Sequence, residues 1–149
     1  MGEMNLDLTG KTALVTGGSR GLGMAIARAM VLNGAEVIVC GRKQENLDQT
    51  VEDFRKEGLD LIGIAANIGN SDQVKALFEG VETRFGRLDI LVNNVGMNIL
   101  TPSLVGVDEG LWDKIMDTNL KGAYLVSSRA ARLMKKAGAG KIINISSTA

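Results

Sequence analysis

The sequence predicts an α/β chain in which helices cover both faces of a doubly wound parallel sheet, and three observations carry that prediction. Short wholly apolar runs recur along the 149 residues, amphipathic stretches separate them, and the first run gives way to a glycine-rich loop where the first helix starts. A short unbroken apolar run suits a strand buried on both faces, as in a parallel sheet.

The elements follow in order. Residues 13–15 form the first strand, and the helical pattern of residues 21–33 is stopped by Gly34. Residues 37–40 form the second strand, followed by a helix over residues 44–57 that Gly58 ends. The third strand covers residues 61–66. Ser71 is read as the N-cap of the third helix, which runs to Phe85 with Gly86 as its stop. After a fourth strand at residues 88–92, a long helix starts near Asp108 and continues to Lys136 before Gly138. At about 1.5 Å per residue it is roughly 40 Å long. Residues 142–145 form the fifth strand. The right-handed rule for crossovers then predicts the strand order 3-2-1-4-5.

The junction from Lys11 to Gly23 reads Gly-x-x-x-Gly-x-Gly after the strand. Without Cβ atoms, Gly17, Gly21 and Gly23 let the chain turn tightly, bring its amides close to phosphate oxygens and pack the helix against the sheet. The helix N-terminus adds unpaired N–H groups and the positive end of its dipole. The junction is therefore a candidate pyrophosphate site, although its spacing differs from the commoner Gly-x-Gly-x-x-Gly.

Composition narrows the function classes. Seventeen basic residues balance seventeen acidic ones, which gives no reason to expect nucleic acid or an acidic membrane surface as a partner. The absence of histidine excludes His-based triads and the usual zinc sites. The single Cys40 cannot form an internal disulfide, and its place at the end of an apolar run marks it as a buried, inert thiol. The first six residues lack a basic region followed by an apolar core, and Leu6 stands where a myristoylation signal has Ser or Thr. With no window of membrane-spanning length, the expectation is a soluble cytoplasmic protein of one domain.

Four motifs in register give the chain a more specific resemblance: Thr16-Gly17-Gly18-Ser19-Arg20-Gly21-Leu22-Gly23, Asn93-Asn94-Val95-Gly96 after the fourth strand, Asn119 in the long helix, and Asn144-Ile145-Ser146-Ser147 at the fifth. Across essentially its whole length the sequence resembles the short-chain dehydrogenase/reductase family. The resemblance implies a Rossmann-type fold, a nicotinamide dinucleotide held by Gly17, Ser19, Arg20, Gly21, Leu22 and Gly23 and by Asn67, Ile68, Asn94 and Gly96, and oxidoreductase chemistry on alcohols and carbonyls.

The cofactor expected is NADP(H). An Asp or Glu at the end of the second strand would bind the ribose 2′-hydroxyl of NAD, but this chain reads Cys40-Gly41-Arg42-Lys43 there, and Glu36 lies at the wrong end of the strand. Arg42 can instead make bidentate bonds to a 2′-phosphate, with Arg20 approaching from the other side. The plainer reading is that Arg42 and Lys43 solvate the start of the second helix. Asn67 stands where the resembled family usually has an Asp that binds the adenine amino group, and its amide oxygen can accept the same bond. Val95 replaces the more frequent Ala. Asn93 is read as tying neighbouring strands together, and Gly96 as facing the cofactor.

Asn119 interrupts an apolar stripe of Trp112, Ile115, Met116, Ala123 and Val126 at helical spacing, so its amide is expected to be buried and to need partners. It is either a satisfied structural Asn or, as the resemblance implies, the residue that positions a water leading protons to the site. By the same resemblance Ser147 polarises the substrate carbonyl, while Ser146 points to the opposite face of the strand. The family's chemistry also uses a Tyr-x-x-x-Lys on the next helix. Tyr124, the only tyrosine, has Ser128 at the Lys position and lies on the wrong helix. The chain is therefore expected to be the N-terminal portion of a reductase, inactive alone and homo-oligomeric when complete. A non-catalytic NADP(H)-binding subunit or sensor is the alternative reading.

Overall fold

A computed structural model of the chain describes residues 6–98 and 103–147, excepting the side chain of Leu104. The leader reading of residues 1–5 lies outside these. Five strands, β1 (Thr12–Thr16), β2 (Glu36–Gly41), β3 (Ile62–Ala65), β4 (Ile90–Asn93) and β5 (Lys141–Asn144), form one sheet in the order β3-β2-β1-β4-β5, all pairs parallel. The helices are α1 (Gly21–Leu32), α2 (Gln44–Lys56), α3 (Ser71–Phe85), α4 (Glu109–Met116) and α5 (Gly122–Ala137). A 3-10 turn at Leu104–Gly106 precedes α4, and a π-helical turn at Asp117–Lys121 joins α4 to α5.

The alternation of side chains along each strand splits the core in two. Ala13, Val15, Val37 and Val39 face the layer of α1 and α2, with Ala27, Leu47 and Phe54. Leu14, Ile38 and Leu91 face the other layer, with Val74, Leu77 and Val81 of α3 and Val126 and Ala130 of α5. Gly63 in β3 lets α2 come close, since a Cβ there would lie 2.8 Å from the Leu47 Cβ. Burial on both faces holds for the three inner strands but not at the edges. β3, an edge strand packed by α2 and α3, is only partly covered, and β5 is exposed along its described length.

Two local expectations are corrected. Asn70, not Ser71, caps α3, its side-chain oxygen accepting from the amides of Asp72 at 3.1 Å and Gln73 at 3.0 Å. Both residue types cap well, and the extended backbone of Asn70 decides between them. The long fourth helix is interrupted by the π turn, which separates α4 from α5. Gly138, at φ +78°, ends it as expected.

Candidate dinucleotide site

The sheet reverses its winding between β1 and β4. Loops leaving neighbouring carboxyl ends diverge there, which is where open α/β sheets bind ligands. Three side chains hold that crevice together. Thr16, wholly buried at the end of β1, accepts from the amides of Asn94 (3.1 Å) and Val95 (3.3 Å) and donates to the Val92 carbonyl (3.4 Å). The Asn94 side-chain amide donates to the carbonyls of Thr16 (3.1 Å) and Gly17 (3.3 Å), so part of its hydrogen-bonding capacity braces the glycine loop. The single hydroxyl hydrogen of Thr50 on α2 is shared between the Asn46 carbonyl at 2.8 Å and the Ser19 carbonyl at 3.2 Å, the latter a weaker tie to the glycine loop. The sequence offered no sign of the Thr16 contacts or of the Thr50 tie to Ser19, because those partners lie far along the chain.

The loop has the backbone that the glycines allow. Gly17 and Gly21 sit at φ +68° and +55°. A Cβ on Gly23 would collide with the Gly17 carbonyl, and one on Gly18 would collide with Val39. Gly18 was not among the glycines singled out from spacing, and the need for it comes from β2 behind it. Arg20 precedes α1 in extended conformation without a side-chain cap, leaving the first-turn amides of α1 to a ligand. Arg20, Gly21 and Leu22 are exposed, as is Arg42 just past β2. Glu36 lies at the opposite end of β2, as expected. The close-packed loop, the helix N-terminus and the two exposed guanidinium groups fit a phosphate-bearing dinucleotide.

Beside β3, Asn67 is exposed and Ile68 is buried against Gly122, so Ile68 can offer a ligand its backbone but not its side chain. Gly96 is exposed, with open space where a Cβ would be. Asn93 behaves as the strand tie expected of it. Its Nδ2 donates to Asn144 Oδ1 on β5 and Ser127 Oγ on α5, both at 2.9 Å.

Asn119 departs from expectation. It is exposed rather than buried, because the stripe it interrupts is itself uncovered here: neither α4 nor the π turn buries a residue, and Trp112 is 54% exposed. Its amide makes a reciprocal pair with the backbone of Met97, accepting from N–H at 2.7 Å and donating to the carbonyl at 2.8 Å. One donor hydrogen and one lone pair remain for a water. A cavity of about 360 Å³ between β4, β5 and α5 is lined by Asn93, Val95, Asn119, Tyr124 and Asn144 among others. Ser146 and Ser147 follow β5, both exposed. The Cys40 thiol is shut in beneath the site, and burial pushes it up to about 12 despite its contact with the Ala66 carbonyl, so it is inert at neutral pH.

Strand order, glycine loop and crevice together define a Rossmann-type domain. The family model described as short chain dehydrogenase matches residues 11–149, and the chain belongs to that family. A tropinone reductase homolog of Arabidopsis thaliana is 41% identical over 143 residues, covering 95% of this chain and 54% of that protein. A metagenomic short-chain oxidoreductase solved in complex with NADP superposes with a TM-score of 0.89 at 38% identity, over 95% of this chain and 64% of that one. A gluconate 5-dehydrogenase from Burkholderia cenocepacia, solved with NADP and tartrate, gives 0.88 at 36% identity, over 96% and 56%. The chain spans about half the length of the curated relatives it matches, 51% and 54% for two of them.

Proposed function

We propose that the full-length protein is an NADP(H)-dependent oxidoreductase that interconverts a carbonyl and an alcohol. The observation that carries this reading is the exposed Arg42 at the end of β2, next to a close-packed glycine loop and with no carboxylate following the strand. The loop amides and the dipole of α1 hold the pyrophosphate, and Arg42 and Arg20 grip the 2′-phosphate. When bound, NADP(H) supplies or takes up the hydride. Ser147 donates a hydrogen bond to the carbonyl oxygen, where negative charge builds as the carbonyl is reduced. Asn119 fixes the Met97 peptide in the loop after β4, and its remaining hydrogen-bonding capacity holds the water of the proton path.

The relatives named above are a reductase homolog, an oxidoreductase and a dehydrogenase, which supports the enzyme reading and gives no support to a non-catalytic subunit. The substrate is a small carbonyl compound or alcohol. No described helix is long and apolar enough to cross a membrane, and the expectation of a cytoplasmic protein is retained on sequence grounds. Self-association is supported by the helix from α4 to α5, which is acidic at its start (Glu109, Asp113, Asp117) and basic at its end (Arg129, Arg132, Lys135). Exposed Leu120 and Tyr124 lie between, beside the Lys121–Asp117 ion pair, so an antiparallel second copy would match charge to charge across a partly apolar centre.

The test is the affinity of the full-length protein for NADPH and NADH. NADPH binds the more tightly, and Arg42→Asp removes that preference at a cost of about 1.5–3 kcal/mol, roughly tenfold or more. Equal affinities in the parent would overturn the assignment.

A further inference from the structure

We propose that the groove between the start of α3 and the middle of α5 is an anion site, outside the dinucleotide crevice, that takes a phosphate dianion, free or on a small ester. The inference stands independently of the dinucleotide reading. Among the arginines, Arg28, Arg55 and Arg87 each meet a carboxylate, and Arg20 and Arg42 lie beside the glycine loop. Arg129 and Arg132 do neither. They line one cavity together and have no hydrogen-bond or ion-pair partner among the described residues.

The cavity holds about 170 Å³, and its other lining residues are Ser71, Tyr124, Leu125 and Ser128. Every lining side chain except Leu125 can donate a hydrogen bond, and the three hydroxyls, like the two guanidinium groups, have no partner among the described residues. Ser71 brings a backbone donor as well. As the first residue of α3 its amide has no intrahelical acceptor, and the Asn70 cap is taken up by the amides of Asp72 and Gln73, at 3.1 and 3.0 Å. Asp72, the carboxylate of that first turn, is not among the lining residues. The cavity therefore gathers donors that nothing inside the protein uses.

Arg129 and Arg132 stand three residues apart on α5, where like charges repel and one anion between them relieves the repulsion. Phosphate answers both. It brings two charges for two guanidinium groups, and its oxygens accept from hydroxyls and a helix amide in the same pocket. Tyr124 and Arg132 are exposed, so the site is open to solvent and an ester substituent can project outward. The carboxylates of a second copy are the other candidates for the arginines. A helix laid along α5 would leave the Ser71 donors on α3 unmet, whereas a free ion uses them, and this favours the ion.

The experiment titrates the full-length protein with inorganic phosphate and, separately, with glycerol phosphate, by calorimetry at an ionic strength held constant with chloride so that general screening cancels. The expected result is saturable binding that Arg129→Gln with Arg132→Gln weakens about tenfold or more, and that Arg42→Gln leaves in place. Ser128→Asp sets a carboxylate in the cavity without removing either arginine, so it should give the same loss and serves if the double variant does not fold. Binding of the ester as tightly as phosphate points to a phosphorylated metabolite, and phosphate alone to the free ion; both support the site. No saturable binding of either probe overturns the inference, as does binding that survives both cavity changes. Binding lost in Arg42→Gln puts the phosphate in the dinucleotide crevice and overturns it too. If neither probe binds and the double variant instead weakens self-association in sedimentation, the arginines serve a second copy and the anion site is refuted.

Discussion

A methyl group on residue 23 would lie on the Gly17 carbonyl and against the Asn94 side chain, so Gly23→Ala forces the loop away from the strand it is braced to. The clash is with backbone, which cannot swing aside as a side chain can. Gly23→Ala is predicted to destabilise the fold by about 1–3 kcal/mol and to weaken dinucleotide binding, which denaturant titration and ligand titration read separately. Thr12 is the opposite case. Its hydroxyl is fully buried at the start of β1 without a partner, so Thr12→Val removes an unsatisfied group at nearly constant shape. A gain of up to about 1 kcal/mol in unfolding free energy is expected, and a loss of that size would show that the hydroxyl has a role not visible here. These two residues mark where the sequence was legible and where it was not. Glycine spacing announced Gly23, but nothing near Thr12 or Thr16 in sequence indicates which strand end each hydroxyl meets, because the partners of Thr16 lie 76 to 79 residues away.

At the scale of elements, Asp89 ties the amino ends of three strands. Its carboxylate accepts from the Thr12 amide at 2.9 Å, its own amide donates to the Thr12 carbonyl at 2.9 Å, and its carbonyl accepts from Lys141 at 2.9 Å. Partial burial pushes the carboxyl up, but the Arg87 side chain, the Thr12 amide and the charges of Arg87 and Lys11 outweigh it and hold the group below its usual 3.8. A carboxyl lowered by folding contributes stability that is complete above that usual value and is lost as pH falls through its lower folded value. Unfolding free energy should therefore drop as the solution is acidified below about pH 4, and the drop should shrink in Asp89→Asn. The strand order and the glycine stops of α2, α3 and α5 were readable because apolar runs and glycines are local signals. The π turn was not, since its cost is repaid by the Asn119 to Met97 pair, a contact between distant segments. Asn119→Ala loses both hydrogen bonds to Met97 and is expected to cost about 1–3 kcal/mol, with a larger effect on the loop after β4 in hydrogen exchange than on the core strands.

For the molecule as a whole, β5 has one neighbour, and Ile142, Ile143 and Ile145 are 38–43% exposed along it. An apolar edge with unpaired backbone groups invites pairing, and the apolar centre of the helix from α4 to α5 adds a second sticky face. The 149-residue chain is accordingly predicted to associate as its concentration rises in sedimentation, and not to turn over ketones by itself, because Ser147 alone is a poor proton source at neutral pH. The full-length protein is expected to transfer hydride from NADPH to a carbonyl carbon. The direct measurement is to supply NADPH deuterated at the transferable position with a panel of ketones and aldehydes, and to look for label in the products. Deuterium at the carbinol carbon of at least one alcohol, lost or much reduced in Ser147→Ala, is the predicted result; a protein that binds NADPH yet transfers label to no carbonyl compound would contradict the account.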